Sequence, residues 1–425
     1  MLPLLALLAA QAALPPWMTG QSRAEDLVVT LATFSPGDIV PEWWGHSALV
    51  VEDRALGQGR LYNFGMFGFD QGFLGRFARG RLEFWVDDGA PILGTYRFYK
   101  EQLHRDVRLQ ELELGPAQAL QVARALGTHV LPENRVYLYQ HYRDNCSTRP
   151  RDILDQALGG QLKRATSGPA RMSLREHTLR YSMVNPPMSL VLDFLQNDEL
   201  EQPITQAQEA YLPDELERQL QALQVLREDG TTVPAVRKRT LWYQSTRAPP
   251  PEHPPRWLPL EAALGLGLAM LALVLGHLGR TGAALPRVLL GAFTALWGLV
   301  GGVLGTGLFV MGAFTDHSVT YRNENLFLWN PLTLGLLPLG VLLAFGSRRA
   351  PRGLRVLWPA LAGLTVLGVA LKVLPAFDQA NWNLIALLGP VTLAFAALQW
   401  LERRQRAQGD ARGAGAAPLA TGKAT

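Results

Sequence analysis

Five apolar runs after residue 257 constrain this chain more than any other feature. They lie near 258–277, 287–311, 331–346, 354–374 and 383–401. Each is close to the roughly 20 residues that a helix needs to cross a bilayer. A stiff proline-rich linker, 248–257, with Pro249, Pro250, Pro251, Pro254 and Pro255, precedes them. If the part before the linker is exported, the first run passes from outside to inside. The connection with Arg280 and Arg287 then lies inside, as do Arg348, Arg349, Arg352 and Arg355, and the tail with Arg403, Arg404, Arg406 and Arg412. The outer loops, near 315–330 and 375–382, hold only Arg322. Five spans therefore satisfy the positive-inside rule. Pro331 and Pro338 interrupt the third run, and Gly298-x-x-x-Gly302 and Gly301-x-x-x-Gly305 in the second permit close helix packing.

Met1–Leu14 is apolar and too short to span comfortably. It suits the core of an export signal, with small-x-small cleavage sites at Ala10–Ala12 and Ser22–Ala24. The expected boundaries are a signal peptide over 1–24, a periplasmic domain over 25–247, the linker over 248–257, a five-span membrane domain over 258–402 and a cytoplasmic disordered tail over 403–425. The net charge of +4 does not point to nucleic acid. The basic excess sits between apolar runs, where it orients helices, and forms no stripe along which a phosphate backbone could lie. A chain that is 48% hydrophobic and 18% charged is also too apolar to be disordered.

Within the exported part, strands come first and helices later. Leu27–Phe34, Ser47–Val51, Arg60–Phe64 and Gly94–Tyr99 are rich in β-formers. Pro116–Thr128 and Arg151–Leu158 have helical composition, the second ending at Gly159-Gly160, and residues 172–226 are expected to be mostly helical. The order is that of an α+β domain.

The chemistry gathers around one cysteine. Cys146 is alone in the chain, so no intrachain disulfide and no cysteine-rich metal site can form. It stands in Asp144-Asn145-Cys146-Ser147-Thr148-Arg149-Pro150-Arg151. Asn145, Ser147 and Thr148 are capping residues and Pro150 fits a first turn. A cysteine at a helix start, with Arg149 and Arg151 beside it, is expected to be a thiolate nucleophile, and the free N–H groups there could hold an oxyanion. A base is needed. His46, in Trp43-Trp44-Gly45-His46-Ser47, starts a strand after a turn, and a strand end is a rigid mount. His141 is the fallback. A third group should orient the imidazole. Asn63, in Tyr62-Asn63-Phe64-Gly65, is the first choice, with Glu52 and Asp144 as rivals. The aromatic stretch Phe64–Phe69, then Phe73, Leu74 and Phe77, either faces acyl chains or forms ordinary core. No two histidines sit at metal-ligand spacing beside acidic partners, and no cofactor is called for.

A Gly-His strand followed about a hundred residues later by an Asn-Cys helix start resembles the circularly permuted papain-like fold of NlpC-type peptidases and lecithin:retinol acyltransferases. Trp44-Gly45-His46-Ser47, Tyr62-Asn63-Phe64-Gly65 and Asp144–Asp152 resemble more closely the periplasmic domain of Lnb-type lipoprotein N-acyltransferases. The likeness covers about residues 28–230. A membrane tail with Asp316-His317, Asn323-x-Asn325 and Asn330-Pro331 is similar as well. The resemblance implies an α+β papain-like extracytoplasmic domain followed by an all-α bundle of about five helices in the bacterial inner membrane. It implies transfer of a fatty acyl group from a membrane phospholipid, through a Cys146 thioester, to the α-amine of a diacylglyceryl lipoprotein. His46 would be the base and Asn63 its partner. Asn145, Arg149, Asp316, His317, Asn323 and Asn325 are expected to contact substrate. The rival readings are a membrane-anchored peptidase or amidase acting on cell-wall peptides, which would use the same pair of residues, and a non-enzymatic assembly factor.

Overall fold

A computed structural model describes residues 14–68, 72–280 and 283–414, apart from the side chains of Leu74 and 409–414. Residues 1–13 of the expected signal segment, Phe69 of the aromatic stretch and tail residues 415–425 lie outside the described residues. The chain divides into two compact units, Met1–Ser189 with Gln202–Pro254, and Leu190–Glu201 with Pro255–Thr425.

The first unit is built on a seven-stranded antiparallel sheet. Its strands are β1 (Leu27–Phe34), β2 (His46–Asp53), β3 (Gln58–Met66), β4 (Glu83–Asp87), β5 (Val107–Leu112), β6 (Val136–Leu138) and β9 (Val236–Tyr243), in the order β6-β4-β3-β2-β1-β5-β9. A separate hairpin pairs β7 (Gln224–Leu226) with β8 (Thr232–Pro234). Every residue of β1 is buried. Side chains alternate across a strand, so β1 supplies two cores. Leu27, Val29 and Leu31 pack with Ala119, Val122 and Leu126 of helix Pro116–His129, with Ile153 and Leu154 of helix Thr148–Ala157, and with Leu216 and Leu220 of helix Pro213–Ala222. Ala32 and Phe34 pack on the other face with Tyr96 and Tyr99. The result is an α+β domain.

Two sequence expectations change here. Gly94–Tyr99 is not a strand; it lies in helix Ile92–Glu101, which starts after the extended Pro91. Tyr96 and Tyr99 are three residues apart, so both face the sheet from one side of that helix, and burial of the pair outweighs β-propensity. The packed domain also begins before residue 25. Trp17 is 1% exposed within the first core, and its indole Nε1 donates to the Tyr62 hydroxyl at 3.1 Å. Cleavage after Ala24 would strip that core of its largest side chain, whereas cleavage after Ala12 would leave it intact.

The second unit contains four helices long and apolar enough to cross a membrane: Leu258–Gly279, Ala284–Phe314, Ala350–Leu371 and the 382–408 part of Trp382–Ala414. A helix pair, Ser318–Phe327 followed by Pro331–Ala344 with a 56° bend, is apolar enough to form either a broken fifth span or a re-entrant loop. The break falls at Pro331, where Asn330 caps the new turn by accepting from the Leu332 N–H. The glycines of the second span serve close approach. A Cβ on Gly298, Gly302 or Gly305 would meet backbone of residues 329–337 at 2.4 to 2.5 Å. Helix Trp382–Ala414 continues past residue 402, where the sequence suggested a disordered tail; Glu, Arg, Gln and Ala there are good helix formers. Leu190–Glu201 also belongs to this unit and not to the domain that precedes the linker.

Candidate active site

Two glycines shape the strand ends that carry the histidine and its neighbour. Gly45, at φ +80°, turns the chain into β2, and a Cβ there would press on the Phe34 carbonyl at 3.0 Å. His46 follows as the first residue of β2, paired with Phe34. Ala48 pairs with Asn63 on β3. Asn63 is therefore the diagonal neighbour of His46 on the same face of the sheet, within reach of a long side chain. The contact forms: His46 Nε2 lies 2.7 Å from Asn63 Oδ1. A carbonyl oxygen only accepts, so Nε2 carries the hydrogen and Nδ1 is left as the basic nitrogen. Asn63 is held from behind by its Nδ2, which donates to Met66 Sδ at 3.3 Å.

Cys146 reaches the same place from the other core. It lies just before helix Thr148–Ala157 and is fixed there by Asn145. Asn145 Oδ1 accepts from the N–H groups of Ser147 and Thr148 at 2.8 and 2.9 Å, and its Nδ2 donates to the carbonyls of His141 and Tyr211 at 2.7 and 2.9 Å. All four hydrogen-bonding positions of the amide are used. Ser47, next to the histidine, donates to the Cys146 carbonyl at 2.7 Å and so ties β2 to the cysteine. Gly65 shows how close the two functional side chains are. It sits at φ +120° in a bulge of β3, and a Cβ there would lie 3.4 Å from His46 Cε1 and 3.6 Å from Cys146 Cβ. Cysteine, imidazole and asparagine thus form one constellation around a residue that has no side chain.

The electrostatics differ from the expectation of a thiolate held by Arg149 and Arg151. Burial pushes the Cys146 thiol up to about 11; the N–H groups of Ser47 and of Cys146 itself and the charge of Arg105 only partly offset it. The N–H groups of Ser147 and Thr148 are spent on Asn145. Arg149 is a bidentate partner of Asp144, at 2.6 and 2.8 Å, and lies 3.7 Å over the Tyr137 ring. Arg151 is bonded to Asp152 and to the Ala207 carbonyl. Burial, then Arg105, pushes His46 down to about 4, against the opposing pull of Asn63. At neutral pH the resting pair is therefore a neutral thiol and a neutral imidazole, and the proton must move when substrate arrives.

The other sequence candidates are elsewhere or already engaged. His141 packs edge-on against Trp44, Tyr142 and Tyr211, and its Nδ1 is 3.3 Å from the Tyr139 hydroxyl. Glu52 is exposed further along β2, and Asp144 belongs to Arg149. Asn145 and Arg149 hold the cysteine turn and offer substrate no unused hydrogen-bonding group of the amide and no unpaired charge. In the second unit, Asn323 and Asn325 are buried and both donate to the Phe194 carbonyl, at 3.3 and 2.9 Å. Asn325 Oδ1 accepts from Asn381, and Asn323 Oδ1 accepts from the Asn325 N–H and from Gln379. They build the loop. Asp316 is exposed and His317 is partly exposed. Of the aromatic stretch, Phe64 is core, while Phe67 stacks on Phe73 and Phe84, and Phe73 on Phe77, which is half exposed. Ser47 and Arg105 were not singled out by sequence reading. Ser47 adjoins a suspected base, which was a usable signal; Arg105 gave none.

Replacing Asn63 with alanine is expected to leave the fold intact and slow the reaction by up to about 100-fold, the size of a misplaced catalytic group. The check is the rate of the Cys146-dependent reaction beside an unchanged thermal melt; an unchanged rate would remove Asn63 from the site.

Residues 13–180 match the family model of the Lnb N-terminal periplasmic domain. Over this stretch, less than half of the chain, the protein is similar to that family. No curated protein and no solved structure matches the chain. An Lnb-type domain joined to four or five apolar helices makes a multi-pass membrane protein with a periplasmic domain.

Proposed function

We propose that this Lnb-type chain is a thiol-dependent acyltransferase of the bacterial inner membrane, which moves a fatty acyl group from a phospholipid to the α-amine of a diacylglyceryl lipoprotein. The observation that carries the reading is the His46–Asn63 bond, which leaves Nδ1 basic in a ring that lies beside Cys146 at Gly65. His46 Nδ1 takes the Cys146 proton as the sulfur attacks the donor's ester carbonyl. The C–O bond breaks, and the imidazolium returns the proton to the leaving glycerol oxygen. The neutral amine of the acceptor then attacks the thioester, the C–S bond breaks, and the amine's proton passes through His46 to the departing thiolate. Splitting the transfer at a thioester replaces one hard step with two easier ones.

Two further features support an acyl substrate. The Phe67–Phe73–Phe77 row gives an apolar path that starts two residues after Gly65 and ends at the surface. The resting thiol is neutral, so the sulfur tolerates an apolar neighbour without the cost of burying a charge. Asp316 and His317 are proposed to meet the acceptor; Asn323 and Asn325 are not, because their amides are spent within their own unit.

Mass spectrometry of the full chain, incubated with phospholipid vesicles and no acceptor, tests the proposal. A fatty acyl adduct on Cys146, released by neutral hydroxylamine, is the expected result. A peptidyl adduct after incubation with cell-wall peptides, with no acyl adduct, would overturn it in favour of a peptidase.

A further inference from the structure

Arg105 lies outside the Cys–His–Asn constellation and bears directly on it. Its side chain is 2% exposed. A buried guanidinium is normally matched by a carboxylate. Among the described residues none pairs with it. Asp38 is taken by Arg247, and Asp106 by Ser245 and Arg108. Glu42 is within electrostatic reach of Arg105 but makes no ion pair with it. Nε of Arg105 donates to the Ser35 carbonyl, and Nη2 is buried without a partner. The guanidinium lies 4.9 Å over the Tyr99 ring. Tyr99 in turn is stacked near-parallel to Phe34 at 3.7 Å and to His46 at 6.3 Å. An uncompensated charge therefore rests on the aromatic stack that faces the histidine.

Such an arrangement costs stability, and a hydrophobic side chain would fill the space more cheaply. We propose that Arg105 is a positioning residue for the Cys146–His46 pair: through Tyr99 it fixes the imidazole plane, and its charge favours the thiolate while keeping the imidazole neutral. The inference rests on the reading of Cys146 as nucleophile and His46 as base. A nearby positive charge acts in this sense on both groups, and the electrostatics of both residues carry an Arg105 contribution. The other groups facing Cys146 are Tyr99, Tyr137 and Tyr139, whose hydroxyls burial keeps protonated well above neutral pH, so they add no charge there. Arg149 and Asp144 cancel one another.

The test is the pH dependence of Cys146 alkylation by iodoacetamide, on the full chain in detergent, which needs no knowledge of the natural substrate. Arg105→Gln is expected to raise the thiol midpoint by about one pH unit or more and to slow thioester formation. Arg105→Lys keeps the charge but cannot both lie flat on Tyr99 and donate in the plane of the fork. It is expected to leave the midpoint in place and slow thioester formation by about tenfold or more. A wild-type alkylation profile in folded Arg105→Gln would overturn the proposal. Should Arg105→Gln fail to fold, wild-type thioester formation in Arg105→Lys would overturn it. If wild-type chain forms no acyl adduct at all, the acyltransferase reading fails, while the alkylation midpoints still decide the role of Arg105.

Discussion

Cys146→Ser is expected to leave the chain folded and inserted and to cut acyl transfer by at least about four orders of magnitude, as removal of a nucleophile does elsewhere. The substitution changes one atom at a partly buried position, and the contacts that place the residue are made by Asn145, Ser47 and the backbone, so the architecture has no reason to change. The chemistry has every reason to fail. The imidazole has been pushed down to about 4 and is a weak base. It can draw a proton from a thiol as that thiol attacks, but a hydroxyl is far less acidic and less nucleophilic. Acyl-enzyme and N-acylated product are both measured, with circular dichroism and protease protection as controls for folding and insertion. Near wild-type transfer in the serine variant would sink the thioester mechanism.

Much of this site could be read from residue order, because its parts are local. A glycine before a histidine at a strand start, and an asparagine before a cysteine at a helix start, are each set by backbone requirements within a few residues. Gly45 at positive φ and the fully bonded Asn145 amide show what those requirements are. Asn63 was reachable for the same reason, since strand periodicity places it on the face of β3 that His46 shares on β2.

What escaped the sequence is set by the medium and by distant packing. A helix start and two arginines suggest a thiolate at Cys146, whereas burial favours the thiol. Whether those groups reach the sulfur depends on Asp144, Asp152 and the Ala207 carbonyl, which claim the arginines. Arg105 left no local signature, since its meaning comes from the carboxylates that do not meet it. The aromatic residues of helix Ile92–Glu101 suit a strand as well as a helix, and only burial against Phe34 and Val50 decides between them. In the membrane unit, Asn323 and Asn325 stood out as polar residues in an outer loop. Polar groups beside a bilayer must also satisfy backbone carbonyls, and here they satisfy that of Phe194.

His46→Ala carries the second large effect and separates the two candidate bases. Loss of a general base typically costs 10²–10⁴-fold, and the alanine variant is expected to lie in that range for acyl-enzyme formation, whereas His141→Ala is expected to keep activity and lose stability. The distinction comes from what each ring touches. His46 has Nε2 committed to Asn63, Nδ1 unprotonated and its ring near the cysteine at Gly65, while His141 packs edge-on against three aromatic rings with a tyrosine hydroxyl on one nitrogen. Burial pushes both histidines down to about 4. In the unfolded chain they titrate near 6.5, so the unfolded state takes up protons first. The stability that each contributes is full above about 6.5 and is lost as pH falls from there through about 4. His141→Ala removes one of these two titrations, so its melting temperature should fall less steeply with acid than that of the wild type. Its pH–rate profile should be unchanged, with the base form of His46 present down to about 4. Acyl-enzyme formation is measured from pH 8 downward in both variants, with melting temperatures alongside. A mild His46→Ala and an inactive, stably folded His141→Ala would reassign the base. The Asn63 bond would then hold a structural imidazole, and the proton acceptor would have to reach Cys146 from the Trp44 side.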